Sequence, residues 1–172
     1  MSSAQLSVLV GKNFACIKIA GRANFASSPD FKTLLNELVQ KSFGHFIIDL
    51  SECVLMDSTF LGVLAGFGMK LNLKGAPVGP GVELHNATAR VSDLLENLGA
   101  VHLFKLTNGT LQLPADLKAC TPESINPSHE QIARTSLEAH QTLMAMNPEN
   151  VARFKDVAQF LAEDLKSLEK SS

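Results

Sequence analysis

Apolar and polar positions alternate at the start of the chain. Gln5 to Val10 and Phe14 to Ala20 predict two strands joined at Gly11-Lys12-Asn13, with Cys16, Lys18 and Ala20 opposite Ile17 and Ile19. The period then lengthens. Phe31, Leu34, Leu35 and Leu38 recur at helical spacing behind Ser28-Pro29-Asp30. There Ser28 can cap, Pro29 loses nothing in the first turn, and Asp30 suits the positive helix end. His45 to Leu50 is a short apolar strand, expected to be covered on both faces.

A second helix is predicted from Ser58 to about Leu73, apolar nearly all round and carrying Gly62, Gly66 and Gly68. Each glycine costs a helix about 0.5–1 kcal/mol relative to alanine, so three of them predict close backbone packing against the sheet. Gly75 to Gly81 reads as a loop, Val82 to His85 as a strand, and Ala87 to Leu98 as a helix ended by Gly99. Phe104 to Leu113 carries Asn108-Gly109 between two alternating runs, which fits either a hairpin or a single strand followed by a turn. Strand and helix alternate throughout this part, the pattern of a mostly parallel sheet with helical crossovers.

After Pro114 the character changes. Thr121-Pro122, Asn126-Pro127 and Asn147-Pro148 each look like a cap followed by a first-turn proline. Ile132, Ser136, Ala139, Leu143 and Met146 form one apolar stripe; Val151, Phe154, Ala158, Leu161, Leu165 and Leu168 form another. Two antiparallel amphipathic helices follow. An isolated pair is marginal in water, so the stripes must be buried, either on their own domain or on a second copy. The division expected is 1–114 for an α/β domain and 115–172 for a helical extension.

Composition narrows the function. Of 172 residues, 45% are hydrophobic and 19% charged, ordinary globular usage with enough apolar material for a core. The net charge of −2 offers no general attraction to nucleic acid or anionic lipid. Cys16, Cys53 and Cys120 form no Cys-x-x-Cys pair, which predicts unreactive thiols in a reducing compartment. The amino terminus lacks a signal pattern, and the most apolar stretch, Phe60 to Met69, is half the roughly 20 residues a bilayer requires. A soluble, cytoplasmic protein without membrane insertion is expected.

Catalytic signatures fail. No Gly-x-Ser-x-Gly elbow occurs, and none of the five histidines pairs at metal-ligand spacing. Gly62, Gly66, Gly68 and Lys70 suggest a phosphate loop only superficially, since Met69 intervenes and the segment lies within a helix. A small nucleotide-binding protein stands on that segment alone. No enzyme activity, metal or cofactor is expected.

One stretch combines rare features. A strand ending Asp49-Leu50-Ser51 leads through a turn into Asp57-Ser58-Thr59-Phe60-Leu61-Gly62-Val63-Leu64 at the head of the glycine-bearing helix. Here, with Gly21 after the second strand and Asp93 to Gly99 before Phe104, the chain resembles the STAS domains over residues 5 to 113. That family includes anti-sigma factor antagonists and the tails of sulfate transporters. The resemblance implies a STAS-like α/β fold: a mixed, mostly parallel sheet of four to six strands with flanking helices, here followed by a C-terminal helical hairpin. Phe60 stands where the family usually has glycine, and Asn24 where many members carry aspartate.

From the residues alone, Ser58 is an ordinary helix cap. The resemblance implies more: Ser58 is the phosphoacceptor, with Thr59 a weaker candidate, and Asn24, Asp57, Ser58, Thr59 and Phe60 form the partner-binding surface. It implies a non-enzymatic anti-sigma factor antagonist that binds a serine kinase acting as anti-sigma factor, is released by phosphorylation, and is restored by a serine phosphatase. The alternative it leaves open is a constitutive scaffold subunit of an ABC-type lipid transport complex. A homodimer through the C-terminal helices is the further partner expected.

Overall fold

The computed structural model describes residues 4–41, 43–73 and 81–170. Strands β1 (Gln5–Val10) and β2 (Phe14–Ala23) form an antiparallel hairpin, and helix α1 (Ser28–Gln40) leads to β3 (His45–Asp49). A fourth strand, β4 (Cys53–Met56), precedes α2 (Ser58–Leu73). Then come β5 (Val82–His85), α3 (Ala89–Asn97), a 3-10 turn at Val101–Leu103, and β6 (Lys105–Thr107). The chain ends with β7 (Lys118–Cys120), α4 (His129–Met146) and α5 (Glu149–Lys170). The loop expected over Gly75 to Gly81 lies, apart from Gly81, outside the described residues.

The sheet runs β6-β5-β3-β2-β1-β7, with β4 paired to β2 off this path. The β2–β3, β3–β5 and β5–β6 pairs are parallel, while β1 is antiparallel to both β2 and β7. Seven strands exceed the four to six expected, because β4 and β7 join. Strand β2 is long enough to serve two parallel neighbours: its first half pairs β3, and after a register shift at Gly21/Arg22 its end pairs β4. The run from Phe104 resolves as a single strand and a turn rather than a hairpin. His85 and Asn86 both bond the Gly109 carbonyl and so fix that turn.

Ala15, Ile17, Ile19, Phe46, Ile48, Val82 and Leu84 are fully enclosed, as two-sided cover of central strands requires. Phe46 meets Phe67 of α2 edge to face, with ring centroids 4.9 Å apart. Leu35 of α1, Leu61 and Leu64 of α2 and Leu95 of α3 complete this interior. Burial pushes the Cys16 thiol up to about 11 and raises that of Cys53, which leaves both poor nucleophiles.

The two long C-terminal helices do form a hairpin, and they dock on their own chain. Helix α4 packs along α2 and touches α1, and α5 packs on α4. Its entry differs from expectation. Ser128, not Thr121 or Asn126, caps α4, through a reciprocal capping box with Gln131. Asn150 at the start of α5 is fully buried and donates to the Leu98 and Leu143 carbonyls at 3.0 and 2.9 Å, tying the hairpin's bend to the end of α3. Leu98 is followed by Gly99 at φ +73°, where an added Cβ would also lie 2.6 Å from the Asn147 amide.

The α2 glycines do not face the sheet as predicted. A Cβ on Gly62 would fall 2.5 Å from the Ala139 carbonyl oxygen of α4, and one on Gly66 would face Thr142. Their spacing of four puts them on one stripe of α2, and α4 lies on it. Gly68, half a turn further on, abuts Leu103 and Phe104 instead.

Candidate functional site

Strand β4 ends at Met56, and one residue turns the chain into α2. Asp57 makes that turn. Its amide donates to the Ala23 carbonyl at 2.9 Å; its Oδ1 accepts from the Phe60 amide at 2.9 Å and its Oδ2 from the Phe25 amide at 2.7 Å. One carboxylate thus caps α2 and fastens it to the segment following β2. Ser58 is therefore not the cap that the sequence suggested. It is the first helical residue, and its hydroxyl is free for another partner.

Burial raises the Asp57 carboxyl above its ordinary 3.8, against the pull of the Phe60 and Phe25 amides. The folded state then binds this proton more firmly than the unfolded chain does. The resulting contribution to stability is complete below 3.8 and is lost as pH rises through the raised value. Asp57→Asn keeps a capping oxygen and removes the proton. Urea titrations from about pH 4 to about pH 6 should show the wild type losing stability relative to Asp57→Asn as pH rises. A gap that is constant or widens in the wild type's favour contradicts the assignment.

The Ser58 hydroxyl is half-buried and lies 2.8 Å from His140 Nε2 of α4. The other ring nitrogen, Nδ1, is 2.7 Å from the Ser136 carbonyl. A carbonyl only accepts, so Nδ1 carries the hydrogen, and in the neutral ring Nε2 accepts from the Ser58 O–H. One residue along, Thr59 is buried, with its Oγ1 2.9 Å from Ser136 Oγ. Phe60 is fully buried and stacks on Phe31 of α1, with centroids 4.4 Å apart.

Two expectations are thereby corrected. Phe60 is not part of a partner-binding surface, because its ring fills the gap between α1 and α2. Thr59 is sealed under α4 and offers no hydroxyl to an incoming enzyme. Asn24 is half-buried; its carbonyl accepts from the Ser28 hydroxyl at 2.9 Å, so it shapes the entry to α1 beside Phe25 and Asp57. Of the five residues expected at a partner surface, Asn24, Asp57 and Ser58 keep partial access to solvent and sit around one helix head.

The residues that sequence reasoning missed are on α4. His140 holds the Ser58 hydroxyl, Ser136 bonds both Thr59 and His140, and Ala139 lets the α4 backbone reach Gly62. A signal existed: Ser136 and Ala139 lie in the predicted stripe, and small residues there match the glycines of α2. Nothing in the sequence paired His140 with Ser58 across 82 positions. Among the described residues, no group of three or more His, Cys, Asp or Glu could hold a metal ion, and no helix is long and apolar enough to cross a membrane.

The STAS domain family model matches residues 5–112, from β1 to just beyond β6. The chain belongs to the STAS family. Two solved structures share its fold. A candidate anti-sigma factor antagonist from Thermotoga maritima aligns with a TM-score of 0.53 at 16% identity, covering 59% of this chain and 85% of that one. The Bacillus cell-fate determinant SpoIIAA in its phosphorylated form aligns at 0.50 and 16% identity, covering 62% and 91%. No curated protein sequence matches the chain. The match ends at residue 112, so α4, α5 and the His140 contact lie outside the part the family defines.

Proposed function

We propose that this STAS domain is a non-enzymatic regulatory module of the anti-sigma factor antagonist kind, whose choice of partner depends on the state of Ser58. A serine kinase acting as anti-sigma factor binds the unmodified chain and is released when Ser58 is phosphorylated; a serine phosphatase reverses the change. The observation that carries this reading is the division of labour at the head of α2: Asp57 performs the capping, so the Ser58 hydroxyl is not committed to the helix end and bonds His140 of α4 instead. A phosphoserine there has about −1.5 to −2 charges at a helix N-terminus that favours an anion by roughly 0.3–1 kcal/mol. Asp57 opposes it, so the domain's own stability changes little. An interface pressed against that dianion loses several kcal/mol, and every 1.4 kcal/mol is about tenfold in affinity.

The test is incubation with the host's candidate kinase and ATP, followed by intact-mass analysis. One phosphate on the wild type and none on Ser58→Ala is the expected result. An unmodified wild type with an active kinase contradicts the reading.

One observation favours a second reading, a constitutive scaffold in an ABC-type lipid transport complex. The hydroxyl already has a bond in the resting chain, to His140, and a permanent partner needs no switch there. Co-purification of an ATPase that is indifferent to Ser58→Asp is the outcome specific to that role.

A further inference from the structure

The contact between α2 and α4 is uneven along its length. At the head of α2, two side-chain hydrogen bonds join the helices, Ser58 to His140 and Thr59 to Ser136. One turn further, Gly62 lies against Ala139 so closely that any side chain on α2 would collide with the α4 backbone. On the α1 side of that crossing the seam opens to solvent. A cleft of about 360 Å³ separates α1, α2 and α4, bordered by Leu35, Val63, Gly66, Phe67 and Thr142. Helix α4 is thus seated at this crossing and again at Leu143, which is fully buried, and it borders an open cleft on the α1 side.

The attachment of α4 to the rest of the molecule is also graded. The Lys32–Glu138 ion pair to α1 is solvent-exposed on both sides and so holds α4 only weakly. The approach to α4 is tethered near the α1 head, where Ser124 and the Ile125 amide bond Asp30 at 2.7 and 2.9 Å. At the far end, Asn150 pins the bend of the hairpin. With both ends tied, α4 can leave α2 and stay within reach of it. The helices it belongs to lie outside the family match, so they cover a STAS surface without being part of the matched domain.

We propose that the α2 face formed by Ser58, Thr59, Gly62 and Gly66 is a helix-receiving surface that α4 occupies in the resting chain, and that a partner binds by displacing α4 with a helix of its own. This rests on the interaction-module reading and names how the partner enters. The chemistry of the incoming helix follows from α4. It carries a small residue opposite Gly62, as α4 does with Ala139, whose Cβ is close enough that one added to Gly62 would lie 2.6 Å from it. At the next position it carries a hydrogen-bonding side chain opposite Ser58, as His140 does, and about one turn before the small residue a second opposite Thr59, as Ser136 does. The Ser58 hydroxyl is open to a kinase only while α4 is off, so access to the switch and exchange of the helix are one event.

The experiment uses the full chain and a fluorescent peptide of residues 128–170, the chain's own hairpin, as the probe. Ala139→Glu puts a long charged side chain against Gly62 from the α4 side and leaves the α2 face intact. The expected results are that α4 becomes protease-sensitive in Ala139→Glu and that this variant binds the peptide at least tenfold more tightly than the wild type. Adding Gly62→Ala should abolish that gain. An α4 that stays protected, or a released α4 with no gain in peptide binding, overturns the proposal.

A second variant covers the case in which Ala139→Glu fails to fold. In Gly66→Cys/Thr142→Cys, made with Cys120→Ser, the new thiols face each other, since a Cβ on Gly66 is 3.7 Å from the Thr142 methyl. Oxidation should exclude the peptide and reduction should readmit it; equal binding in both states overturns the proposal. A kinase that leaves Ser58 unmodified in a chain that does bind the peptide counts against the phosphorylation reading alone. Failure of the unmodified Ala139→Glu chain to bind the peptide, while a kinase still modifies its Ser58, counts against the helix-receiving surface alone.

Discussion

Phe60→Ala is expected to lower the unfolding free energy by about 3–5 kcal/mol, the range for truncating an enclosed phenylalanine. The ring is fully buried and stacked on Phe31, and it is the wedge that holds α1 and α2 at their separation. Its removal costs the transfer of the ring to water, the stacking contact, and whatever part of the space α1 cannot close. Against a total stability of about 5–15 kcal/mol for a domain, that is a large share. At this chain length the melting temperature should fall by about 6–20 °C. Calorimetry on Phe60→Ala and Phe60→Leu decides the matter. A loss below about 1 kcal/mol for the alanine would mean that the ring is exposed, as an interface anchor would be.

Gly62→Ala is expected to destabilise the hairpin against the local propensity of the residue. In an exposed helix the change favours folding by about 0.5–1 kcal/mol. Here the new methyl would be 2.5 Å from the Ala139 carbonyl oxygen and 2.6 Å from the Ala139 Cβ. Carbon atoms settle at about 3.5–4 Å, so α4 must retreat by on the order of an ångström. Overpacking of that kind costs about 1–3 kcal/mol. The flanking Ser58–His140 and Thr59–Ser136 bonds lengthen with it, at about 0.5–1.5 kcal/mol each. Limited proteolysis should cut α4 and α5 early while the STAS portion persists. A Gly62→Ala chain that is more stable than wild type, with α4 still protected, contradicts the close crossing.

Much of the fold was legible because local signals agreed. Alternation gave β1 and β2, the apolar stripe behind Pro29 gave α1, and the apolar run from Ser58 gave α2 with the bounds observed; the expected Ser28 cap does not form, because Ser28 is itself the first residue of α1 and its hydroxyl bonds the Asn24 carbonyl. Strand β4 was not legible. Cys53 to Met56 is four residues of apolar sequence directly after a turn, and its strand character comes from β2 extending past Gly21 to meet it. Strand β7 was hidden for the same reason: Lys118 to Cys120 has no pattern of its own and is a strand only beside β1.

The site divides similarly. Asp57 and Ser58 were identified by their place ahead of α2, yet their roles were exchanged, because Asp, Ser and Thr all suit an N-cap and only the Phe60 amide reveals which one serves. An all-round apolar helix has no marked face, so neither the inward turn of Phe60 nor the outward turn of Gly62 toward α4 could be read. His140 was invisible as a partner because its position is set by the packing of α4, which depends on every contact along α2.

Chemistry at the Ser58 oxygen is communicated to α4 through His140. In the resting chain the hydroxyl donates to His140 Nε2; a phosphate in its place presents an acceptor to an acceptor unless the imidazole takes up a proton. The most direct measurement is hydrogen exchange on full-length protein with phosphoserine installed at position 58, compared with the unmodified chain. Exchange across His129–Met146 should be faster, with the amides of β2 and β3 unchanged. Exchange in α4 that is unaltered or slower on phosphorylation would contradict that communication.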